Sequence, residues 1–230
     1  MMENKIIFNN LEDMSHQRQE AFNTLRTNLQ FCGADLKVLL FTSCSPGEGK
    51  SSIVMDLARA MAENGKRVVL VDADLRRSVM LSRYKAQAVN KKVGGLSHYL
   101  SKQAKIEEIL YTTNIPGMDV ILTGHLSPNP TGLLDSTLFV ELVANLRERY
   151  DMVLIDSPPI GSVVDAVIMA PHCDGVVLVI ESGATSNRAA VSAKKQLEMA
   201  KCRILGAVLN KMSQDRSQYY SGYKLYGEYK

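Results

Sequence analysis

The sequence predicts an α/β fold in which a mostly parallel central sheet carries helices on both faces. Short apolar runs recur at Lys37–Thr42, Arg67–Val71, Met118–Thr123, Met152–Ile155, Gly175–Ile180 and Ile204–Leu209. They are rich in β-branched residues and lack polar alternation, the pattern of strands covered on both sides. Helical patterns fall between them at Ser51–Asn64, Gly132–Tyr150 and Ser186–Ala200. Gly65 is placed to cap the first of these, because glycine accepts the left-handed backbone that ends helices. Alternating strands and helices imply parallel pairing with right-handed crossovers. With 46% hydrophobic and 22% charged residues over 230 positions, the chain can fill one large core.

Three segments depart from that rhythm. Ser15–Cys32 reads as a helix ahead of the first strand, with Phe22, Leu25 and Leu29 on one face. Residues 84–117 form an excursion with short helices around Gly94 and Gly95, and residues 213–230 have few aliphatics and read as a flexible tail. The expected division is therefore one domain over 1–212 and a tail over 213–230. A net charge of +3, spread along the chain without any Trp, argues against a nucleic-acid partner. Cys32, Cys44, Cys173 and Cys202 show no paired spacing and read as reduced, buried residues of a cytoplasmic protein. The N-terminus shows no apolar signal core, and no run is long enough to cross a membrane. Contact with a membrane is then expected through a partner.

The sharpest motif is Ser43-Cys-Ser-Pro-Gly-Glu-Gly-Lys-Ser-Ser52, which follows a strand and opens a helix. Glycines let backbone N–H groups converge on phosphate oxygens, and the helix N-terminus adds its dipole. Gly47, Glu48, Gly49, Lys50, Ser51 and Ser52 are the candidate nucleotide-binding residues. Lys50 would reach the β- and γ-phosphates of ATP and Ser51 would bind Mg²⁺. Cys44 stands where the strict GxxxxGKS/T pattern asks for glycine. Asp72-Ala-Asp-Leu-Arg-Arg77 and Asp156-Ser-Pro-Pro159 end two of the apolar runs. Ligands gather at the carboxyl ends of strands in open α/β sheets, so both should face the Gly-rich loop. Asp156 suits a Mg²⁺-holding carboxylate, and Asp72 suits a metal-bound water or the proton of an incoming hydroxyl. Asp74 completes a catalytic set with Lys50, Asp72 and Asp156. The arrangement is that of a P-loop NTPase.

These motifs, together with Thr123–Ser136 (TGHLSPNPTGLLDS) and Gly206-Ala-Val-Leu-Asn210, resemble the bacterial tyrosine kinases of capsule and exopolysaccharide synthesis. The resemblance spans nearly the whole chain. It implies transfer of phosphate from ATP to tyrosine, with Mg²⁺, and regulation of polysaccharide synthesis or export. It places Asn210 near the adenine, a plain turn asparagine being the alternative. It makes Tyr219, Tyr220, Tyr223, Tyr226 and Tyr229 autophosphorylation sites, each phosphate adding roughly −1.5 to −2 charge. It further implies a membrane-anchored activator of the polysaccharide co-polymerase type that recruits the protein to the inner face of the membrane, and a cognate tyrosine phosphatase. A homo-oligomer, in the form of a ring, would use a Glu-x-x-Arg-x-x-Arg helix. Glu20 and Arg26 match that pattern, but Asn23 replaces its middle arginine. The competing reading is a switch ATPase of the kind that positions division machinery or partitions DNA. Such proteins carry a lysine five residues before the loop lysine, where this chain has Ser45, and they lack a tyrosine tail. Scaffold ATPases of iron–sulfur assembly need paired cysteines that are missing here.

Overall fold

The computed structural model describes residues 4–89 and 93–212. The expected tail and its five tyrosines lie outside the described residues. The strands are β1 (Lys5–Ile7), β2 (Val38–Ser43), β3 (Val68–Asp72), β4 (Gln87–Ala88), β5 (Leu110–Thr113), β6 (Met118–Ile121), β7 (Met152–Asp156), β8 (Gly175–Glu181) and β9 (Ile204–Asn210). They form a single sheet in the order β4-β1-β5-β6-β3-β7-β2-β8-β9. Pairing is parallel from β6 through β9, and antiparallel only between β1 and β4 and between β5 and β6.

The helices are α1 (His16–Phe31), α2 (Lys50–Glu63), α3 (Met80–Arg83), α4 (Leu96–Leu100), α5 (Ile106–Ile109), α6 (Pro130–Leu134), α7 (Thr137–Arg149), α8 (Asp165–Met169) and α9 (Asn187–Met199). Adjacent residues of each central strand go to opposite cores, as the unbroken apolar runs require. Val38 and Leu40 of β2 pack with Phe139, Leu142 and Leu146 of α7, whereas Leu39 and Phe41 pack with Val54 and Leu57 of α2 and Phe22 of α1. Helix α1 begins at Ser15, whose hydroxyl accepts the Arg18 N–H at 3.3 Å. The cap expected at Gly65 is present, with φ of +81° just beyond α2.

All six expected strands are present, and three short ones went unread. Strand β1 lies ahead of α1, so α1 does not precede the first strand. It holds only three residues, too few for a periodic signal. Within 84–117, β4 has two residues and β5 begins at Leu110, the residue that closes α5, so no turn chemistry separates helix from strand. The helix expected over Gly132–Tyr150 is two. Asn129 caps α6 by accepting the Gly132 N–H at 3.1 Å, with Pro130 at its first turn. The Ser136 hydroxyl then donates to the Leu133 carbonyl at 2.6 Å, competing for the helical acceptor and separating α6 from α7.

One polar tie fixes the loop after β3 against α6 and α8. Arg76 makes a forked contact with Asp165, Nε to Oδ2 at 2.7 Å and Nη2 to Oδ1 at 2.9 Å. The Thr131 hydroxyl joins both groups, accepting from Arg76 at 2.8 Å and donating to Asp165 at 3.1 Å. Asp165 is fully buried, so its charge depends on that fork. Lysine supplies a point charge rather than a planar fork. Arg76→Lys is expected to lower stability by about 1–2 kcal/mol, seen as a lower urea midpoint, whereas Thr131→Val shifts it less.

Candidate active site

The three central strands deliver the chemistry because their register brings it level. Asp72 at the end of β3 and Asp156 at the end of β7 are direct Cα partners, and Asp156 is also the partner of Phe41 in β2. Strand β2 leads through Ser43 into the Gly-rich loop, which wraps over these ends and runs into α2. A cavity of about 470 Å³ opens there. Its walls include Gly47, Gly49, Lys50 and Ser51 of the loop together with Asp74, Arg77 and Arg83.

The loop shape follows from its residues. Gly47 and Gly49 have φ of +86° and +88°, and Gly49 stands at the N-cap of α2. A Cβ on Gly49 would lie 2.1 Å from the Asn210 amide nitrogen, so packing as well as φ demands glycine there. Position 44 is outside the left-handed region, which is why cysteine serves where the strict pattern has glycine. Burial, with Glu48 adding to it, pushes the Cys44 thiol up to about 11. Among the described residues, no acceptor meets the N–H groups of Gly47, Glu48, Gly49, Lys50 or Ser51. Free donors converging at a helix start are what a polyphosphate requires.

Glu48 is buried, and its carboxylate braces the loop itself. It accepts the N–H groups of Cys44 at 2.7 Å and Ser45 at 3.1 Å, and also the Thr185 hydroxyl. The side chain of Glu48 is thus satisfied within the loop, while its backbone N–H stays free among the described residues.

Lys50 is buried, with its ammonium on the Asp156 carboxylate and 3.4 Å from the Ser51 hydroxyl. Hydroxyl and carboxylate thus bracket one small cation. Asp72 is buried beside Asp156 and accepts from the Ser78 hydroxyl. Burial first, and the neighbouring Asp156 charge second, push the Asp72 carboxyl up to about 7.

Asp74 is half-buried on the cavity wall, and its Oδ1 caps the turn by accepting from Arg76 N at 3.2 Å and Arg77 N at 2.9 Å. The Ser52 hydroxyl is held by Arg83. Asn210 directs its amide to the Glu48 carbonyl at 2.9 Å. Lys50, Ser51, Asp72 and Asp156 are therefore brought together, Asp74 lines the same cavity as Lys50 and Ser51, and Asn210 sits behind the loop.

Sequence reasoning missed Ser78, Thr123, Arg83, Thr185 and Lys211. Thr123 donates to the Asp72 carbonyl at 3.1 Å, and Lys211 reaches the Gly47 carbonyl at 2.8 Å. Thr123 opens the quoted Thr123–Ser136 stretch, but nothing in that stretch shows that its hydroxyl serves Asp72. Arg83, Thr185 and Lys211 reach the loop through contacts that only the fold creates.

Residues 36–204 match the AAA domain family. Tyrosine-protein kinase CpsD of Streptococcus agalactiae is 40% identical over 210 residues, spanning 91% of this chain and 90% of its own. The chain belongs to the bacterial tyrosine-protein kinases. Two solved structures agree with this. The chimerical protein CapA2B2 superposes with a TM-score of 0.82 at 28% identity, over 90% of this chain and 93% of that one. The kinase domain of Escherichia coli tyrosine kinase ETK gives 0.78 at 28% identity, over 86% and 78%. The switch-ATPase alternative is not favoured. Ser45, at the position of its lysine, is tied into the kinase's phosphate loop through Glu48. No helix among the described residues is long and apolar enough to cross a membrane.

Asp72 gives the kinase a measurable pH signature. The folded protein holds a proton that the unfolded chain, with a carboxyl near 3.9, has already lost. Its contribution therefore weakens stability as pH rises from about 4 to about 7 and changes little above that. In thermal melts without nucleotide, Asp72→Asn is expected to melt above wild type at pH 8, the gap closing towards pH 5.

Proposed function

We propose that this kinase transfers the γ-phosphoryl group of ATP to tyrosines of its own C-terminal cluster, and so regulates capsular or exopolysaccharide synthesis. The observation that carries this reading is that Lys50 and Ser51 line one cavity with the free loop N–H groups, while Lys50 reaches back to Asp156, itself level with Asp72. The loop N–H groups and Lys50 would hold the β- and γ-phosphates and stabilise the charge that develops on them. The Ser51 hydroxyl and Asp156 carboxylate are hard oxygen donors around a site that already accommodates the Lys50 ammonium, and they suit Mg²⁺. Bound there, Mg²⁺ would supply positive charge to the phosphate oxygens.

The acceptor phenol has an ordinary pKa near 10 and needs a base. Asp72, held up to about 7, is ionised for part of the time at neutral pH and is a stronger base than an ordinary carboxylate. The phenol proton passes to Asp72 as the phenolic oxygen bonds to the γ-phosphorus, and the bond to the β–γ bridging oxygen breaks to release ADP. Asp74, on the cavity wall, would orient the acceptor.

Assembly belongs to the same reading. Helix α1 presents Glu20, Asn23 and Arg26, with Asn23 donating to Glu20 at 3.3 Å. The Arg26 Nε is buried and meets no acceptor among the described residues, which suits a carboxylate from a neighbouring subunit. A membrane-anchored activator would recruit the protein to the inner face of the membrane, and a tyrosine phosphatase would reverse the modification.

The test mixes a Lys50→Met chain that keeps its tail with an active chain whose Tyr219, Tyr220, Tyr223, Tyr226 and Tyr229 are all Phe. With Mg-ATP, mass spectrometry is expected to find phosphate on the inactive chain, at a rate that rises with total protein. Lys50→Met alone should stay unlabelled. Label on that variant alone would overturn the site. An unlabelled mixture beside a self-labelling wild type would place transfer within one chain, and an unlabelled wild type would end the kinase reading.

A further inference from the structure

The end of β9 touches the phosphate loop at two consecutive peptides. Asn210 Nδ2 donates to the Glu48 carbonyl at 2.9 Å, and Lys211 Nζ donates to the Gly47 carbonyl at 2.8 Å. The Lys211 ammonium is itself anchored to Glu181 at the end of β8, at 2.9 Å. Lys211 has a left-handed backbone, φ +56°, which turns its side chain out of the strand sequence and back over the loop.

The consequence follows from the planarity of the peptide. In a trans peptide the C=O and the N–H point in opposite directions. The carbonyl of Gly47 shares its plane with the N–H of Glu48, and the carbonyl of Glu48 with the N–H of Gly49. Drawing both carbonyls outward towards β9 turns both N–H groups the other way, and Gly47, Glu48 and Gly49 all line the cavity. Those N–H groups are among the loop donors without an acceptor in the described residues. Gly49 makes the grip feasible, since a side chain there would occupy the place of the Asn210 amide.

We infer that Asn210 and Lys211 are positioning residues that aim the Glu48 and Gly49 N–H groups at the polyphosphate, rather than readers of the purine. The inference rests on the reading of this loop as the ATP phosphate site. Asn210 and Lys211 leave the chemistry to others. They fix in advance the orientation that a flexible loop would otherwise have to find when the ligand arrives.

A ligand without a base separates the two roles. Binding of ATP, GTP and inorganic tripolyphosphate to wild type, Asn210→Ala, Lys211→Met and Lys211→Arg is measured by calorimetry. The clamp predicts that Asn210→Ala and Lys211→Met weaken all three ligands by one common factor, about five- to tenfold for the loss of one such bond. It also predicts that Lys211→Arg, which keeps donors for both the carbonyl and Glu181, recovers most of the loss. Weakened ATP with unchanged tripolyphosphate, or an altered ATP-to-GTP ratio, would overturn the clamp in favour of base recognition. Unchanged binding of every ligand would overturn it as well. A wild type that binds neither ATP nor tripolyphosphate would remove the phosphate-site reading and the clamp together. Circular dichroism checks the fold, and if Lys211→Met is unfolded, Glu181→Gln loosens the same ammonium and is expected to weaken all ligands in parallel.

Discussion

Everything at this site is arranged around the burial of one lysine and two aspartates in neighbouring positions. A buried charge without a partner is strongly unfavourable. The Lys50 ammonium answers Asp156, and Asp72, left beside them, is pushed towards its neutral form. That arrangement exists because β3, β7 and β2 lie side by side in parallel with Asp72 level with Asp156. A slip of one residue in either pairing would turn a carboxylate from the catalytic end into an apolar core. The two cores, each filled by alternate residues of the same strands, hold that register.

Around this centre the polar contacts divide into two kinds. Some hold loops in place: Glu48 within the phosphate loop, Arg76 with Asp165 and Thr131, and Thr123 on the Asp72 carbonyl. Others remain poised for a ligand, namely the loop N–H groups and the Arg77 side chain on the cavity wall. The first kind costs little to maintain because each group is satisfied within the fold. The second kind is tolerated in the open cavity, where solvent and ligand alternate. Asp72 stands apart from both, since the fold would be more stable with a neutral residue there.

The central half of the fold was legible because its signals are dense and local. Each long strand is an apolar run, α2 and α9 carry caps at their ends, and the phosphate loop and its two aspartates are contiguous motifs. The edge was not legible. Lys5–Ile7 and Gln87–Ala88 become strands through pairing with each other and with β5, which no window of a few residues contains. At the site, the residues in motifs were found and the residues that hold them were not. Glu48 shows what a motif leaves unsaid: its place in the loop is contiguous with the other loop residues, but that its carboxylate braces Cys44 and Ser45 from within is visible only in the fold.

The grip of Lys211 on Gly47 has a mechanical consequence. Lys211 stands one residue past the last pair of the β8–β9 ladder, Glu181 with Asn210, so the ammonium that holds Gly47 rides on the very end of the sheet. Displacing that end by the length of one hydrogen bond unseats the ammonium and frees a peptide plane to rotate. The end of β9 thereby acts as a stop for one peptide plane of the phosphate loop, set by a single ammonium.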